Sequence, residues 1–199
     1  MHRTDPIEVL VRQSRWRAAL RAIVSELKVT RQSHWLLARL ALMHYELHDY
    51  RAAREYAKRA MTLEPRCHLA LWEYAGALQM LGRHREAVKV YRRLTHRGAE
   101  RIASGPCGEG LARARGLVAD CHYRIASSLR ALGARQAAGR EFRRHLGMRL
   151  SGSRSIYSLR ELASDGWRPN MRLELTPPRR GKITFVNGTA RRRSSAASR

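Results

Sequence analysis

The chain of 199 residues has few acidic residues, few lysines, only three cysteines and no long apolar run. A helix that crosses a bilayer needs about 20 consecutive apolar residues, so we expect no membrane span. The first residues, Met1–Pro6, lack the apolar segment of a secretory signal. Asp5-Pro6 is instead typical of a helix start, with Asp as the cap and Pro at the first helical position. We therefore expect a cytoplasmic protein.

The odd number of cysteines argues against a framework of disulfides. Cys121 lies in a helical run, Cys107 lies in a glycine-rich loop, and Cys67 directly precedes a helix, so we interpret all three as reduced thiols. The alternative is a metal site made of Cys107, Cys121 and His122. These residues lack CxxC or HxxxH spacing and a fourth ligand, so we predict no metal and no cofactor.

The sequence also lacks a recognisable catalytic constellation. Its nine histidines fall in turns or loops without a nucleophile and a carboxylate at a familiar spacing. The glycine-rich stretch 98–110 lacks the Lys-Ser/Thr ending of a phosphate-binding loop and does not follow a predicted strand. We therefore predict that the protein is not an enzyme.

The shortage of acidic residues leaves a large basic excess. Lys and Arg number 40, Asp and Glu number 16, and the formal net charge is +24. Preference for Arg over Lys is typical of a GC-rich genome, but codon bias does not explain the scarcity of acids. Such a charge attracts nucleic acid, anionic lipid or an acidic protein without specifying which, and it could also be a solvated surface with no dedicated partner. No RNP motif, KH loop or zinc finger favours nucleic acid.

A repeat with a period of 34 residues is the main feature that is present. Three pairs of residues lie 34 positions apart: Ala41 and Ala75, Ala53 and Ala87, and His48 and Gly82. A period of this length predicts stacked helical hairpins, in which small residues let the helices approach closely. Gly82 suits the left-handed turn at the end of a first helix. Stacked hairpins form extended surfaces that bind partners.

The pattern resembles the tetratricopeptide repeat (TPR) family. Each repeat of that family has, in this order, Leu followed by a small residue, a Gly-x-Tyr turn, Ala, an aromatic residue, Ala and a closing Pro. Residues 34–65 match at Leu40, Ala41, Tyr50, Ala53, Tyr56, Ala60 and Pro65. Residues 68–99 match at Ala75, Leu78, Gly82, Ala87 and Tyr91. The sequence departs from the family pattern at His48, Ala57 and Leu94, and the second of these copies lacks the closing Pro.

Two weaker copies flank the clear ones. In the last copy, Gly133, Ala138 and Phe142 stand 51 rather than 34 positions after their equivalents. We predict an all-α solenoid of about three to four stacked hairpins over residues 5–146, with copies at 5–32, 34–65, 68–99 and 119–146. An insertion occupies residues 102–118, and the helix that follows its glycine-rich part should run from about Leu111 to Leu132.

Residues 147–199 lose the repeat and are predicted to form a basic C-terminal extension. We expect a short helix within Ser155–Leu162 and a hairpin within Leu173–Val186. The polar, basic end from Arg191 is typical of a disordered segment.

The TPR resemblance implies a groove on the exposed faces of the first helices. The residues that it implies there are Arg39, Tyr45, Trp72, Gln79, Tyr123, Arg124 and Arg130. Arg mixed with Trp and Tyr is typical of anchor residues in peptide grooves, although Trp72 and Tyr123 could equally pack between hairpins. Leu42 and Gly76 stand where TPR chaperone adaptors have Asn for a C-terminal carboxylate, so we do not expect that ligand.

The sequence thus predicts a non-enzymatic protein-interaction module or scaffold that binds a peptide or an acidic protein. The alternative is an RNA-associated helical-repeat protein that uses its basic surface. Residues 82–98 are also similar to pentatricopeptide repeats, which read one base per hairpin. Two or three hairpins would read too few bases, and Glu64-Pro65 is more typical of TPR.

Overall fold

In the computed structural model, residues 6–30, 33–164 and 166–167 are described, and every regular element in these ranges is an α-helix. The helices are α1 (Pro6–Arg12), α2 (Trp16–Val29), α3 (His34–Glu46), α4 (Tyr50–Leu63), α5 (His68–Met80), α6 (His84–Ala103), α7 (Leu111–Ala131), α8 (Arg135–Leu150) and α9 (Leu159–Ser164). Within the described ranges, no helix combines the length and the apolar character that crossing a membrane requires.

The first eight helices form four successive hairpins: α1–α2, α3–α4, α5–α6 and α7–α8. Each of these helices packs on the next one along the chain, and α3 also packs on α5. Packing between neighbours in sequence is what a solenoid of hairpins requires. The predicted all-α architecture of stacked hairpins is confirmed.

The turn inside each hairpin has the same backbone geometry. One residue in each turn has a positive φ: Ser14 (54°), His48 (63°), Gly82 (75°) and Gly133 (77°). The N–H of this residue donates to the carbonyl of the residue three positions before it. The N–H of the following residue donates to a carbonyl five positions back, as Asp49 does to His44. These bonds satisfy carbonyls at the end of the first helix, as in a Schellman turn. The first three of these residues lie 34 positions apart, so the period of the sequence is also a period of the backbone.

The small residues of the repeat lie where the helices approach one another. Ala41 and Ala75 in the first helices, and Ala53 and Ala87 in the second helices, are each 0% exposed. Larger apolar side chains fill three core clusters, which lie among α1, α2 and α3, among α3, α4 and α5, and among α5, α6 and α7. Any larger side chain at the alanine positions would push two helices apart.

The insertion between the third and fourth hairpins is short and tightly folded. Helix α6 is interrupted at Gly98 (φ 77°, ψ 163°) and ends at Ala103. The chain then turns back within a few residues, and a Cβ on Gly108 would stand 2.1 Å from the carbonyl oxygen of Ala103. Helix α7 follows from Leu111 and, with 21 residues, is the longest helix of the described chain.

The chain divides into two compact units, of which the first runs to Leu159 and contains α1–α8. The second begins at Arg160 and contains most of α9. The short helix expected within Ser155–Leu162 begins only at Leu159, because Ser155 and the N–H of Ile156 are bound to Asp120 and the chain bends at Ile156 and Tyr157. The hairpin expected within Leu173–Val186 and the basic end from Arg191 lie outside the described residues.

Candidate functional site

A cleft of about 940 Å³ is lined by the first helices of the hairpins, by the insertion and by residues 154–156. Its large apolar side chains are Val11, Trp35, Leu42, Leu69, Trp72, Ile102, Leu117 and Ile156. Residues three or four apart in a helix share a face, which explains why Trp35, Arg39 and Leu42 of α3 line the cleft together. The cleft is therefore a property of the repeat, since each first helix contributes one face.

Acidic and basic side chains both line the cleft. Its carboxyl groups are those of Glu8, Glu73, Glu109 and Asp120, and its guanidinium groups are those of Arg12, Arg39, Arg113 and Arg154. The guanidinium of Arg39 donates to the carboxylate of Glu8 at 2.6 Å and lies 3.5 Å from that of Glu109. Arg39 thereby joins α1, α3 and the insertion by charge-assisted contacts.

Glu73 is a carboxyl group of the cleft whose pKa is strongly raised. Its residue is only 6% exposed, and burial raises the pKa of its carboxyl to about 8, although the charges of Arg39 and Arg124 oppose the rise. A carboxyl group with this pKa is largely protonated at neutral pH. It offers both a hydrogen-bond donor and an acceptor to whatever occupies the cleft.

Arg124 of α7 connects three hairpins through its guanidinium group. It donates to the hydroxyl of Tyr45 at 3.2 Å, to the side-chain oxygen of Gln79 at 3.3 Å and to the hydroxyl of Tyr157. The guanidinium carbon also lies 5.9 Å from the ring centre of Trp72. Neutral oxygens and aromatic rings thus replace part of the water around this half-buried cation.

The chain's own residues 154–157 fill one end of the cleft. Asp120 accepts hydrogen bonds from the hydroxyl of Ser155 at 2.5 Å and from the backbone N–H of Ile156 at 3.1 Å. The ring of Tyr157 lies 4.6 Å from that of Tyr123, centre to centre. A Cβ on Gly116 would stand 2.5 Å from the carbonyl oxygen of Arg154, so the glycine admits this segment against α7.

The residues of the implied groove have different environments in the structure. Arg39 and Trp72 line the cleft. Tyr45, Gln79 and Arg124 form one hydrogen-bonded cluster, and Tyr123 packs under Tyr157. Arg130 is exposed near the end of α7, apart from the residues that line the cleft. Arg39 and Trp72 also have contacts within the chain, Arg39 with Glu8 and Trp72 with Tyr91.

Sequence reasoning missed Asp120 and the segment that it binds. Asp120 stands in the apolar run Val118–Cys121, and a carboxylate in such a run signals a buried group that needs partners. The helix expected within Ser155–Leu162 included Ser155, Ile156 and Tyr157, because the pattern of apolar residues in so short a stretch does not distinguish a helix from an irregular segment.

A second cluster of chemically active side chains combines residues that are distant in sequence. The sulfur of Cys107 lies 3.6 Å from that of Cys67 and 3.2 Å from Nε2 of His34. The hydrogen bond with Cys107 lowers the pKa of Cys67 to about 6, and the same contact raises the pKa of Cys107. The grouping of Cys107 with Cys121 and His122 does not form: Cys121 lies in the core, and His122 pairs with Glu141 at 2.7 Å.

No protein-family model matches this sequence, and no curated protein matches it. Among solved structures, the chain is similar to the MamA RS-1 ArsTM double mutant, with a TM-score of 0.42 and 14% identity over 73% of this chain and 92% of that one. It is also similar to a crystal structure of MamA, with a TM-score of 0.41 and 16% identity over 75% of this chain and 97% of that one. These values are too low to transfer a function.

Proposed function

We propose that this chain is a non-enzymatic interaction module whose cleft binds an extended segment of a partner protein. The observation that supports the proposal is the docking of residues 154–157 at one end of the cleft. There Asp120 binds a backbone N–H, and Tyr123 and Arg124 hold an aromatic side chain. The same first-helix face thus already holds a non-helical segment of the chain.

The rest of the cleft has the composition of a peptide-binding surface. Trp35, Leu42, Leu69 and Trp72 are all partly exposed on its lining. Partly exposed aromatic and aliphatic side chains provide anchor pockets, and surrounding charged groups orient the ligand. We propose that Arg39 and Trp72 contact the partner, and that Tyr45, Gln79, Tyr123 and Arg124 hold the chain's own segment.

Among the described residues, many basic side chains lie on other surfaces. Exposed basic residues on the second helices α4, α6 and α8 are Arg51, Lys58, Arg59, Arg85, Lys89, Arg92, Arg93, Arg101, Arg135, Arg140, Arg143 and Arg144. We propose that this surface attracts an acidic partner over a distance set by the Debye length, about 8 Å at physiological salt, while the cleft selects the peptide. An RNA partner would use the same second helices. A cytoplasmic location remains a prediction.

The proposal is tested by selecting peptides from a displayed random library on the purified protein. The protein is then labelled with fluorotryptophan, and the selected peptides are added as synthetic ligands. We expect the fluorine signals of Trp35 and Trp72 to shift, and that of Trp16, which lies outside the cleft lining, to remain unchanged.

Two variants make the test specific. Leu42→Arg should weaken peptide binding at least about tenfold, because it places a charge among the apolar anchors. The matched control, Leu63→Arg, makes the same substitution at an exposed leucine outside the cleft lining and should bind as the parent protein does. If Leu42→Arg binds the peptides as tightly as the parent protein, another surface binds them and the proposal is overturned. The proposal is also overturned in favour of RNA if the partners that the protein captures in a pull-down are lost after nuclease treatment.

A further inference from the structure

The three ligand atoms of His34, Cys67 and Cys107 lie within 4.8 Å of one another. In a tetrahedral zinc site, two sulfur ligands stand about 3.8 Å apart, and a sulfur and a nitrogen ligand stand about 3.6 Å apart. The observed separations are 3.6 Å between the sulfurs and 3.2 Å between Cys107 and His34. Movements of a few tenths of an ångström would bring these two separations to zinc-binding distances, and the separation of Cys67 from His34, at most 4.8 Å, would close by at most about 1.2 Å.

Each ligand is positioned by a separate element of the fold. His34 is the first residue of α3, and Cys67 is the N-cap of α5 and fully buried. The N-cap position places the side chain of Cys67 at the N-terminus of α5. The dipole of a helix favours a thiolate at this end, and the thiolate is the form that binds metal.

The loop of the insertion places the third ligand. Cys107 has a φ of 61°, a left-handed conformation that is unfavourable for a residue with a Cβ. A Cβ on Gly105 would lie 2.8 Å from the carbonyl of Arg101, so this turn excludes a larger residue. Such strain persists where the surroundings over-determine it, and it is common at functional sites. The strained turn directs the Cys107 sulfur at Cys67 and His34.

We propose that His34, Cys67 and Cys107 bind a Zn²⁺ ion that fastens the insertion to the beginnings of α3 and α5. Two thiolate sulfurs and one imidazole nitrogen form a ligand set that suits Zn²⁺, and a water molecule completes four-coordination. On binding, Zn²⁺ exchanges water ligands for protein ligands, and the remaining thiol protons pass to the buffer. Cys107 also lines the cleft, so the ion would fix the position of one cleft wall.

The test uses the full chain without a histidine tag, reduced and freed of metal. Titration with Co²⁺ should give the visible bands of tetrahedral cobalt and a thiolate-to-cobalt band, and Zn²⁺ should abolish both at one equivalent. A hundredfold excess of Zn²⁺ over its dissociation constant should raise the melting temperature by about 5–10 °C, because the ion binds only the folded state.

Variants separate this site from adventitious binding by other histidines. Cys107→Ser should weaken Zn²⁺ binding at least about a hundredfold. The matched control, Cys121→Ser, changes a buried thiol outside the cluster and should bind Zn²⁺ as the parent does. In the parent protein, Zn²⁺ should also protect Cys67 and Cys107 from alkylation, a measurement that needs no variant.

Three outcomes would overturn the proposal. They are Zn²⁺ uptake that Cys107→Ser leaves unchanged, cobalt spectra without a thiolate band, and alkylation of both thiols at the same rate with and without Zn²⁺. A Cys67–Cys107 disulfide that forms readily, in a protein whose reduced form takes up no Zn²⁺, would assign the pair to redox chemistry instead.

Discussion

Replacing Arg124 by Met should both destabilise the protein and release its residues 154–157. Met keeps an unbranched apolar stem but removes the donors to Tyr45, Gln79 and Tyr157. A hydrogen bond to a charged group contributes about 1.5–3 kcal/mol, and relief from burying the charge offsets part of the loss of three. We expect a net loss of about 2–4 kcal/mol, which lowers the melting temperature by about 5–15 °C in a chain of this size.

Hydrogen exchange measures the release of the segment directly. The N–H of Ile156 donates to Asp120 at 3.1 Å, and its exchange should be at least about tenfold faster in Arg124→Met because the neighbouring Tyr157 has lost its partner. The matched control is Arg143→Met, an exposed arginine of α8, which should change neither property. An unchanged melting temperature together with unchanged protection of Ile156 would refute the role given to Arg124.

Three further predictions concern the cleft, the turns and the helix contacts. The pKa of Glu73 is about 8 in the folded state, against an ordinary value of 4.5, so ionisation of this group lowers the stability of the parent protein as the pH rises from about 4.5 to about 8. Glu73→Gln should therefore be more stable than the parent by about 2–4 kcal/mol at pH 8 and equally stable at pH 4. Denaturant titrations at both pH values measure this difference. Ser14→Gly should raise stability by up to about 1 kcal/mol and Gly82→Ala should lower it by about 1 kcal/mol, since both residues have positive φ; equal melting curves would contradict the turn geometry. Ala87→Leu should cost about 1–3 kcal/mol by overpacking, whereas the exposed substitution Arg85→Leu should cost little; similar melting temperatures for the two variants would mean that Ala87 is not at a close contact.

The helical hairpins were predictable because their signals are local. Each hairpin has a left-handed turn residue at the same place and a small residue at each close contact. Both depend on nearby backbone geometry, so they recur at a fixed period. The first hairpin was harder to recognise because Ser14 stands where glycine is usual, although its φ of 54° shows the same turn. Likewise, the cleft face of α3 follows from the spacing of Trp35, Arg39 and Leu42.

The occupants of the cleft and the thiol cluster depend on contacts that no local pattern records. Cys107 lies 40 residues from Cys67 and 73 residues from His34, so no motif spacing joins them. Asp120 and Ile156 meet only because Gly116 admits the returning chain against α7. The sequence by itself determined the period, the helices and the turns, since these arise from residues a few positions apart. Only the tertiary structure decided which side chains meet across the stack, because packing brings together residues whose separation along the chain carries no information about distance in space.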